Sequence, residues 1–486
     1  MNNTEDIELV TSQRNAFDDI VEFLNSRTDR VFILKGYAGT GKTTMMRFLV
    51  DYLLEHKIGY HLLASTGRAA TILDKATGAH GSTSTIHSLI YKYNGLNQDF
   101  GKIDVQSDDV GQLFLVFSPA KVNDEKDEQH VYIIDEASMI SDVPEHNITQ
   151  AAFGTGRLLK ELLDYDTRTK CKYIFVGDPC QLPPVNQLTS PALSPDYIHD
   201  TFSLGVCSAE LTEIIRQKDG NTITDVSQCF RRCYRTAPLD DSVYYGRRNW
   251  CKLGLRESRN VRFHPSRADL ISQYTELVKQ QGYDYSTLVC QSNRTCYQTA
   301  TEVRSALGFS GPVAPNDLLL VVQNNLNAAL YNGDLIQVKA VGGSRQKRAG
   351  LTFLPVVVED IATHTQRRAL LLEDLLYTGQ LNLTSEQQTR LFVDFVMRMK
   401  DQGIKQNMAQ AFNNKMLTDD YLNALRCSFG YAITCHKAQG GEWSEVFIDL
   451  PRNIMLNPTK GKYQWLYTAF TRAKNKVHLV NDPLYI

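Results

Sequence analysis

Residues 31–55 read VFILKGYAGTGKTTMMRFLVDYLLE: an apolar run, a glycine-rich turn, then apolar residues at helical spacing. The turn GYAGTGKT, residues 36–43, matches G-x-x-x-x-G-K-[ST] in full. Gly36 and Gly41 let the backbone turn its amides inward to cradle phosphate oxygens, with Ala38, Gly39, Thr40 and Thr44 in the same binding loop. Lys42 supplies a point charge to the β- and γ-phosphates, and the Thr43 hydroxyl suits Mg2+. ATP and Mg2+ are therefore the expected cofactors. The flanking strand and helix are what the mechanism requires.

Outward from this turn the pattern repeats. GYHLLASTGRAATILDKA is again strand, polar turn, helix, and VYIIDEASMI and CKYIFVGDPCQLPPV each hold an apolar strand ending in polar residues. Continuous apolar strands separated by helices predict an α/β fold whose parallel sheet is covered on both faces. Ligands then sit beyond the carboxyl ends of the strands, where all four motifs fall. Asp135 and Glu136 end the strand VYIID. Asp135 is placed to hold the Mg2+ shell and Glu136 to orient or deprotonate an attacking water. Gln181, just past a later strand end, is placed to reach a γ-phosphate. Arg216 (LTEIIRQ) and Arg472 (TAFTRAK) fall in what reads as a second α/β unit, each a candidate arginine finger.

At roughly 150 residues per domain, 486 residues predict about three domains. No apolar run reaches the roughly 18 residues needed to span a bilayer, which excludes an integral membrane protein, and no membrane partner is expected. The polar, acidic start MNNTEDIELV carries no targeting signal, so a cytoplasmic location is expected. Lys and Arg total 52 against 54 Asp and Glu, a formal net charge of −2, so a globally basic nucleic-acid coat is excluded but a local groove is not. The one basic stretch is 228–267, with aromatics interleaved, either a nucleic-acid surface or a solvated helical face. The ten cysteines are scattered and are expected to be reduced thiols. Cys229 and Cys233, with Cys207 and Cys251, lack the spacing of a metal knuckle, so no metal is expected there.

Four regions are expected. Residues 1–89 and 130–204 form a first α/β domain carrying the ATP site. Residues 90–129 are an aromatic insertion, read as a hairpin from QLFLVFS, with an acidic loop KVNDEKDEQ. Residues 205–340 and 426–486 form a second α/β domain, interrupted at 341–425 by short strands that suggest a small β-barrel and by a helix opening on a capping box, Thr384 with Gln387.

The ordered set GYAGTGKT, ASTGRAA, STIHSL, IIDEAS, GDPCQLPPV, LTEIIRQ, AITCHKAQGGEW and LYTAFTRAK resembles the superfamily 1 helicases, and within them the RecD/Dda group. The resemblance runs from Gln13 to Arg472. It implies two RecA-like P-loop NTPase domains with ATP in the cleft between them, a src-homology-like barrel, and single-stranded DNA or single-strand/duplex junctions as substrate. It also implies 5′→3′ translocation and work in DNA replication, recombination or repair, with single-strand-binding or repair proteins as partners. Gln13 resembles the family's adenine-reading glutamine, Gln181 its γ-phosphate sensor, Arg216 and Arg472 its two arginines, and Glu442 an acid linking nucleotide to DNA.

Polar clusters at strand ends suit DNA phosphates: Thr66 and Gly67 with Thr85 and His87 in the first unit, and Thr434, His436, Lys437 and Gln439 in the second. Phe114 and Phe117 in the insertion are three apart on one expected strand, so one is expected to pack inward and the other to meet the junction as a wedge. Two positions depart from the family pattern, Ser65 for a usual proline and Trp443 for a smaller aromatic, the latter tolerable if the ring packs in the core. No added nuclease is expected. The alternatives are a translocase that does not separate strands, a subunit with a silent ATP site, and an RNA-directed motor.

Overall fold

The computed structural model describes residues 9–78, 81–96, 115–122, 128–144, 151–215, 221–325, 327–404 and 409–486. The first sheet has six strands in the order Thr83–Thr85, Gly59–Ala64, His130–Ile134, Cys171–Gly177, Asp29–Gly36, Gly205–Leu211, every neighbouring pair parallel. Alternate residues of the strand before the P-loop serve separate cores. Phe32 and Leu34 face the cluster built with Thr11–Asn25 and Lys42–Glu55, while Val31 and Ile33 face the other. Burial on both faces is why this strand carries no polar alternation.

The sixth strand corrects the expected boundary at residue 205. Gly205–Leu211 pairs with Asp29–Gly36 and so belongs to the first domain. It is an edge strand with Glu210 exposed and Leu211 buried, a half-polar pattern equally consistent with starting a new unit. The segment holding Arg216 therefore leaves the first sheet rather than the second. Arg216 itself lies outside the described residues.

The second parallel sheet runs Val261–His264, Ala473–Val480, Trp443–Asp449, Ser286–Cys290, Ile433–Thr434. Its last strands come from the end of the chain, as the interrupted α/β pattern predicts. Trp443 is 2% exposed and packs in the core of this unit, so the larger ring is accommodated.

The interruption is wider than 341–425. An antiparallel sheet orders Gln346–Arg348, Leu351–Asp360, Leu335–Val341, Leu318–Val321 and Cys427–Phe429, with Gln366–Leu372 also on Leu351–Asp360. Leu371 bridges to Leu425, just before the strand at the sheet's far end. Leu318–Val321 and Cys427–Phe429 are short, fully apolar or nearly so, and resemble parallel core strands in sequence; only their partners assign them elsewhere. Helix Ser385–Asp401 covers this sheet, and its capping box forms: Gln387 N donates to Thr384 Oγ1 (3.2 Å) and Thr384 N to Gln387 Oε1 (3.0 Å).

Within 90–129, Tyr91–Leu96 and Leu115–Pro119 pair antiparallel, and Ala151–Phe153 adds a third strand that the sequence did not signal. Phe117 stacks on Phe153 with centroids 4.7 Å apart and meets Tyr93 at 5.6 Å. The inward-packing partner of the expected pair is thus Phe117; Phe114 and the acidic tip 123–127 lie outside the described residues. Tyr93 reaches the antiparallel module, its hydroxyl 3.9 Å from Met416 Sδ.

A buried relay joins the edge of the second sheet. His264 Nε2 lies 2.9 Å from His478 Nδ1, and His478 Nε2 lies 2.8 Å from Glu445 Oε2. Burial, helped by the neighbouring His478, pulls His264 down to about 4 from 6.5. A folded pKa below the unfolded value means the unfolded chain binds the extra proton. The stability His264 contributes is therefore present above 6.5 and lost as pH falls toward 4. His87 and His130, also held near 4, act in the same direction. The melting temperature is expected to fall between about pH 7.5 and pH 5, and less steeply in His264→Gln. Equal slopes for the two proteins would remove His264 from the acid response.

Candidate nucleotide site and nucleic-acid interface

The P-loop closes over its own lysine. Gly39 and Gly41 have φ of 81° and 79°, and a Cβ on Gly41 would stand 2.3 Å from Gln13 Nε2. The left-handed backbone is what favours glycine at both positions. Lys42 Nζ donates to the carbonyls of Gly36 (2.7 Å) and Tyr37 (3.2 Å), and the Thr40 hydroxyl donates to Tyr37 O (2.8 Å). Thr43 opens the helix exposed, with Thr44 half-buried behind it. Gln13 is 1% exposed; its Nε2 donates to Thr40 O (3.2 Å) and Gly41 O (3.4 Å), and its Oε1 accepts from Val10 N (3.2 Å). The side chain expected to read adenine is here braced against the P-loop backbone.

Asp135 and Glu136 stand at the end of His130–Ile134. Burial, then the adjacent charge of Glu136, raises the Asp135 carboxyl well above the usual carboxylate range, and Lys42 opposes the shift. Glu136 has a φ of 50°, a strained conformation for a non-glycine residue and one typical of functional turns. A desolvated acid beside a second acid, with a threonine hydroxyl exposed at the start of the P-loop helix, fits a divalent cation.

The second unit reaches directly into this site. Helix Lys460–Phe470 presents Tyr467, 1% exposed. Its hydroxyl accepts from the P-loop amide of Ala38 (2.9 Å) and donates to Asp178 Oδ2 (2.7 Å). Asp178 is fully buried, and desolvation raises its pKa while the Lys42 charge and the tyrosine hydrogen bond hold it down. Leu182 N donates to Thr468 Oγ1 (3.1 Å), and Gln464 Nε2 to Pro179 O (3.2 Å). Neither Tyr467 nor Asp178 stands out in sequence. Both lie inside quoted motifs, and their pairing joins residues 289 positions apart in the chain.

Tyr467→Phe removes one oxygen and leaves a buried carboxylate and a P-loop amide each short of a partner. A loss of about 1–3 kcal/mol is expected, or roughly 5- to 150-fold in ATP turnover efficiency. The effect should be strongly non-additive with Asp178→Asn in a double-mutant cycle. Wild-type turnover in Tyr467→Phe would make the hydroxyl a bystander.

Gln181, 3% exposed, meets Gln439 across the same cleft: Gln439 Nε2 donates to Gln181 Oε1 (3.5 Å) and to Leu182 O (3.3 Å). Gln439 thus faces the turn that carries Gln181 rather than open solvent. Arg472, 4% exposed, donates to Thr468 O (3.0 Å), Gly441 O (3.2 Å) and Thr471 Oγ1 (3.2 Å), all in its own unit. Glu442 follows Gly441, half-buried.

The remaining DNA candidates are mostly helix caps. Thr66 accepts from Ala69 N (3.2 Å), Thr85 from Ser88 N (3.2 Å) and Thr434 from Lys437 N (3.4 Å). Capping leaves the first-turn amides of three short helices at the carboxyl ends of two parallel sheets. Gly67 has no room for a side chain, since a Cβ would stand 2.1 Å from the Tyr331 ring. His87 packs on Tyr91 and Phe153, and burial takes it down to about 4, so it is neutral near pH 7. Burial also lowers His436 and Lys437.

A family model described as an AAA domain matches residues 8–240, and one described as a UvrD-like helicase C-terminal domain matches residues 429–480. The ATP-dependent DNA helicase dda of Enterobacteria phage T4 is 29% identical over 211 residues, which is 43% of this chain and 40% of that protein. The RecBCD enzyme subunit RecD of Buchnera aphidicola is 21% identical, across 97% of this chain and 73% of its own. A crystal structure of Pif1 helicase from Bacteroides, in complex with ADP-AlF3 and single-stranded DNA, aligns with 99% of this chain and 95% of its own at 15% identity and a TM-score of 0.47. Among the described residues, no helix is long and apolar enough to cross a membrane.

Proposed function

We propose that this chain, which belongs to the superfamily 1 helicases of the RecD/Dda group, is an ATP-driven motor that moves along single-stranded DNA in the 5′→3′ sense and opens duplexes ahead of it. The observation that carries the reading is Tyr467, a second-unit side chain hydrogen-bonded to both the P-loop and Asp178. A nucleotide site shared by two units turns each cycle of binding and hydrolysis into relative motion of those units. Capped helices at the strand ends of both units supply two grips on one strand. Near-neutral grips suit stepping, which needs phosphate contacts that break repeatedly.

In this scheme Lys42 and the P-loop amides hold the phosphates. Thr43 and Asp135 would hold Mg2+, which would neutralise phosphate charge. Glu136 orients and deprotonates the attacking water, Gln181 senses the terminal phosphate, and Arg472 with Arg216 stabilises the charge that develops on transfer. Gln13 and Glu442 would contact the nucleotide. The curled antiparallel sheet is read as the src-homology-like barrel. It supports the 90–129 insertion as a wedge, a role consistent with the Tyr93–Met416 contact. Cytoplasmic replication, recombination or repair, with single-strand-binding proteins as partners, is the setting that fits.

The test is phosphate release with single-stranded DNA, with RNA and without nucleic acid, followed by unwinding of duplexes bearing either a 5′ or a 3′ tail. DNA-stimulated hydrolysis with unwinding only from a 5′ tail is expected. Hydrolysis without unwinding of either substrate would leave a translocase, and no hydrolysis a silent subunit. Replacing 94–128 by a Gly/Ser linker should keep stimulated hydrolysis within about threefold while unwinding collapses, because each opened step costs about 1.4 kcal/mol of stacking. Unwinding at the wild-type rate per ATP would end the wedge reading.

A further inference from the structure

Helix Thr222–Thr236 begins the basic stretch and faces the P-loop. Thr224, Ser227 and Arg231 are spaced i, i+3, i+7 and so lie along one stripe of it. All three line a cavity of about 240 Å3 whose opposite wall includes Ala38 and Gly39 and which Lys474 also borders. Ser227 is only 7% exposed, and its Oγ, Thr224 Oγ1 and Arg231 Nε are buried without a hydrogen-bond partner. Buried polar atoms are rarely left in that state, and three on one stripe form a set that a ligand completes. The chemistry of the lining selects an anion: hydroxyls, a guanidinium and an ammonium, with no carboxylate among the described residues. Arg231 lies with its guanidinium carbon 3.1 Å from the centroid of the Tyr37 ring. Stacking occupies the face of that planar group and leaves its N–H edge to donate, the geometry that suits phosphate oxygens.

We propose that Thr224, Ser227 and Arg231 form a phosphate subsite contributed by the second unit beside the P-loop, taking the terminal phosphoryl group of bound nucleotide or the inorganic phosphate that it becomes. The proposal rests on the ATPase reading above and deepens it. Among the described arginines, Arg472 is turned onto backbone of its own unit, whereas Arg231 already touches the P-loop.

The experiment measures the affinities of ADP and of the non-hydrolysable analogue AMP-PNP, together with inhibition of hydrolysis by inorganic phosphate in the presence of ADP. The proteins are the unaltered chain, Arg231→Gln, Arg231→Lys and Ser227→Ala. Arg231→Gln should keep ADP affinity within about twofold and lose about tenfold or more for AMP-PNP, with Arg231→Lys between, since lysine keeps the charge without the fork. That result assigns the subsite to nucleotide-bound phosphate. An unchanged affinity ratio, with phosphate inhibition weakened in Arg231→Gln and Ser227→Ala, assigns it to the released product. Equal weakening of ADP and AMP-PNP with unaltered phosphate inhibition overturns the proposal. If Arg231→Gln does not fold, Ser227→Ala, which deletes one hydroxyl, decides by the same ratio. Absence of hydrolysis in the unaltered chain would defeat the functional reading, while the affinity ratio would still judge the subsite.

Discussion

Lys42→Ala is expected to eliminate ATP hydrolysis while leaving the fold intact. Its ammonium is held between the carbonyls of Gly36 and Tyr37, and its charge opposes the raised pKa values of both Asp135 and Asp178. Removing it takes the one cation of the P-loop from the place where phosphoryl charge develops, and leaves two acids without their opposing charge. A fall of at least about 10³-fold in DNA-stimulated phosphate release is the expected scale for a cation in phosphoryl transfer. The cost to the fold is far smaller. Two hydrogen bonds from a half-buried side chain are worth on the order of 1 kcal/mol each, a shift of a few degrees in melting temperature. Residual turnover near wild type would remove this loop from the chemistry.

Arg472→Ala is the second large effect, expected to keep nucleotide binding and lose on the order of 10³-fold in turnover. The structure adds a condition to this expectation. Arg472 now bonds to Thr468 O and Gly441 O, so it must leave these carbonyls to meet a phosphate across the cleft. Its contribution is then confined to the closed, reacting state, which predicts a loss in kcat with little change in KM. Arg472→Lys should rescue poorly, since an ammonium has no planar fork. Arg216→Ala should behave alike, because the segment leading to it is tied to the P-loop through Ile215 N and Gly39 O (2.8 Å). Loss of nucleotide binding together with a collapse of the melting temperature would make either arginine a structural residue.

The candidate site was legible in proportion to how local its geometry is. GYAGTGKT was readable because its glycines, its lysine and its flanking strand and helix are all set within a single turn of chain. The acidic pair was readable because an apolar strand has to end somewhere, and Asp135 and Glu136 mark where this one does. The DNA candidates were readable only as polar residues at strand ends. Thr66, Thr85 and Thr434 cap their helices, and a cap and a phosphate contact look alike in sequence. Gln439 belongs with them by sequence, but it faces Gln181 across the cleft, a contact between residues far apart in the chain.

By itself the sequence determined an α/β chain with a parallel sheet around a P-loop, a second α/β unit interrupted by another module, and a capped helix at Thr384. Each follows from periodicity or backbone chemistry within a short window. Tertiary structure decided which sheet each ambiguous strand joins. Gly205–Leu211 went to the first sheet's edge, and Leu318–Val321 and Cys427–Phe429 went to the antiparallel module. It also decided that Tyr467 stands between Ala38 and Asp178, and that the polar stripe of Thr222–Thr236 looks onto the P-loop. Strand partnership and side-chain encounter depend on which distant surfaces bury together, and a window of sequence contains only one of the two surfaces.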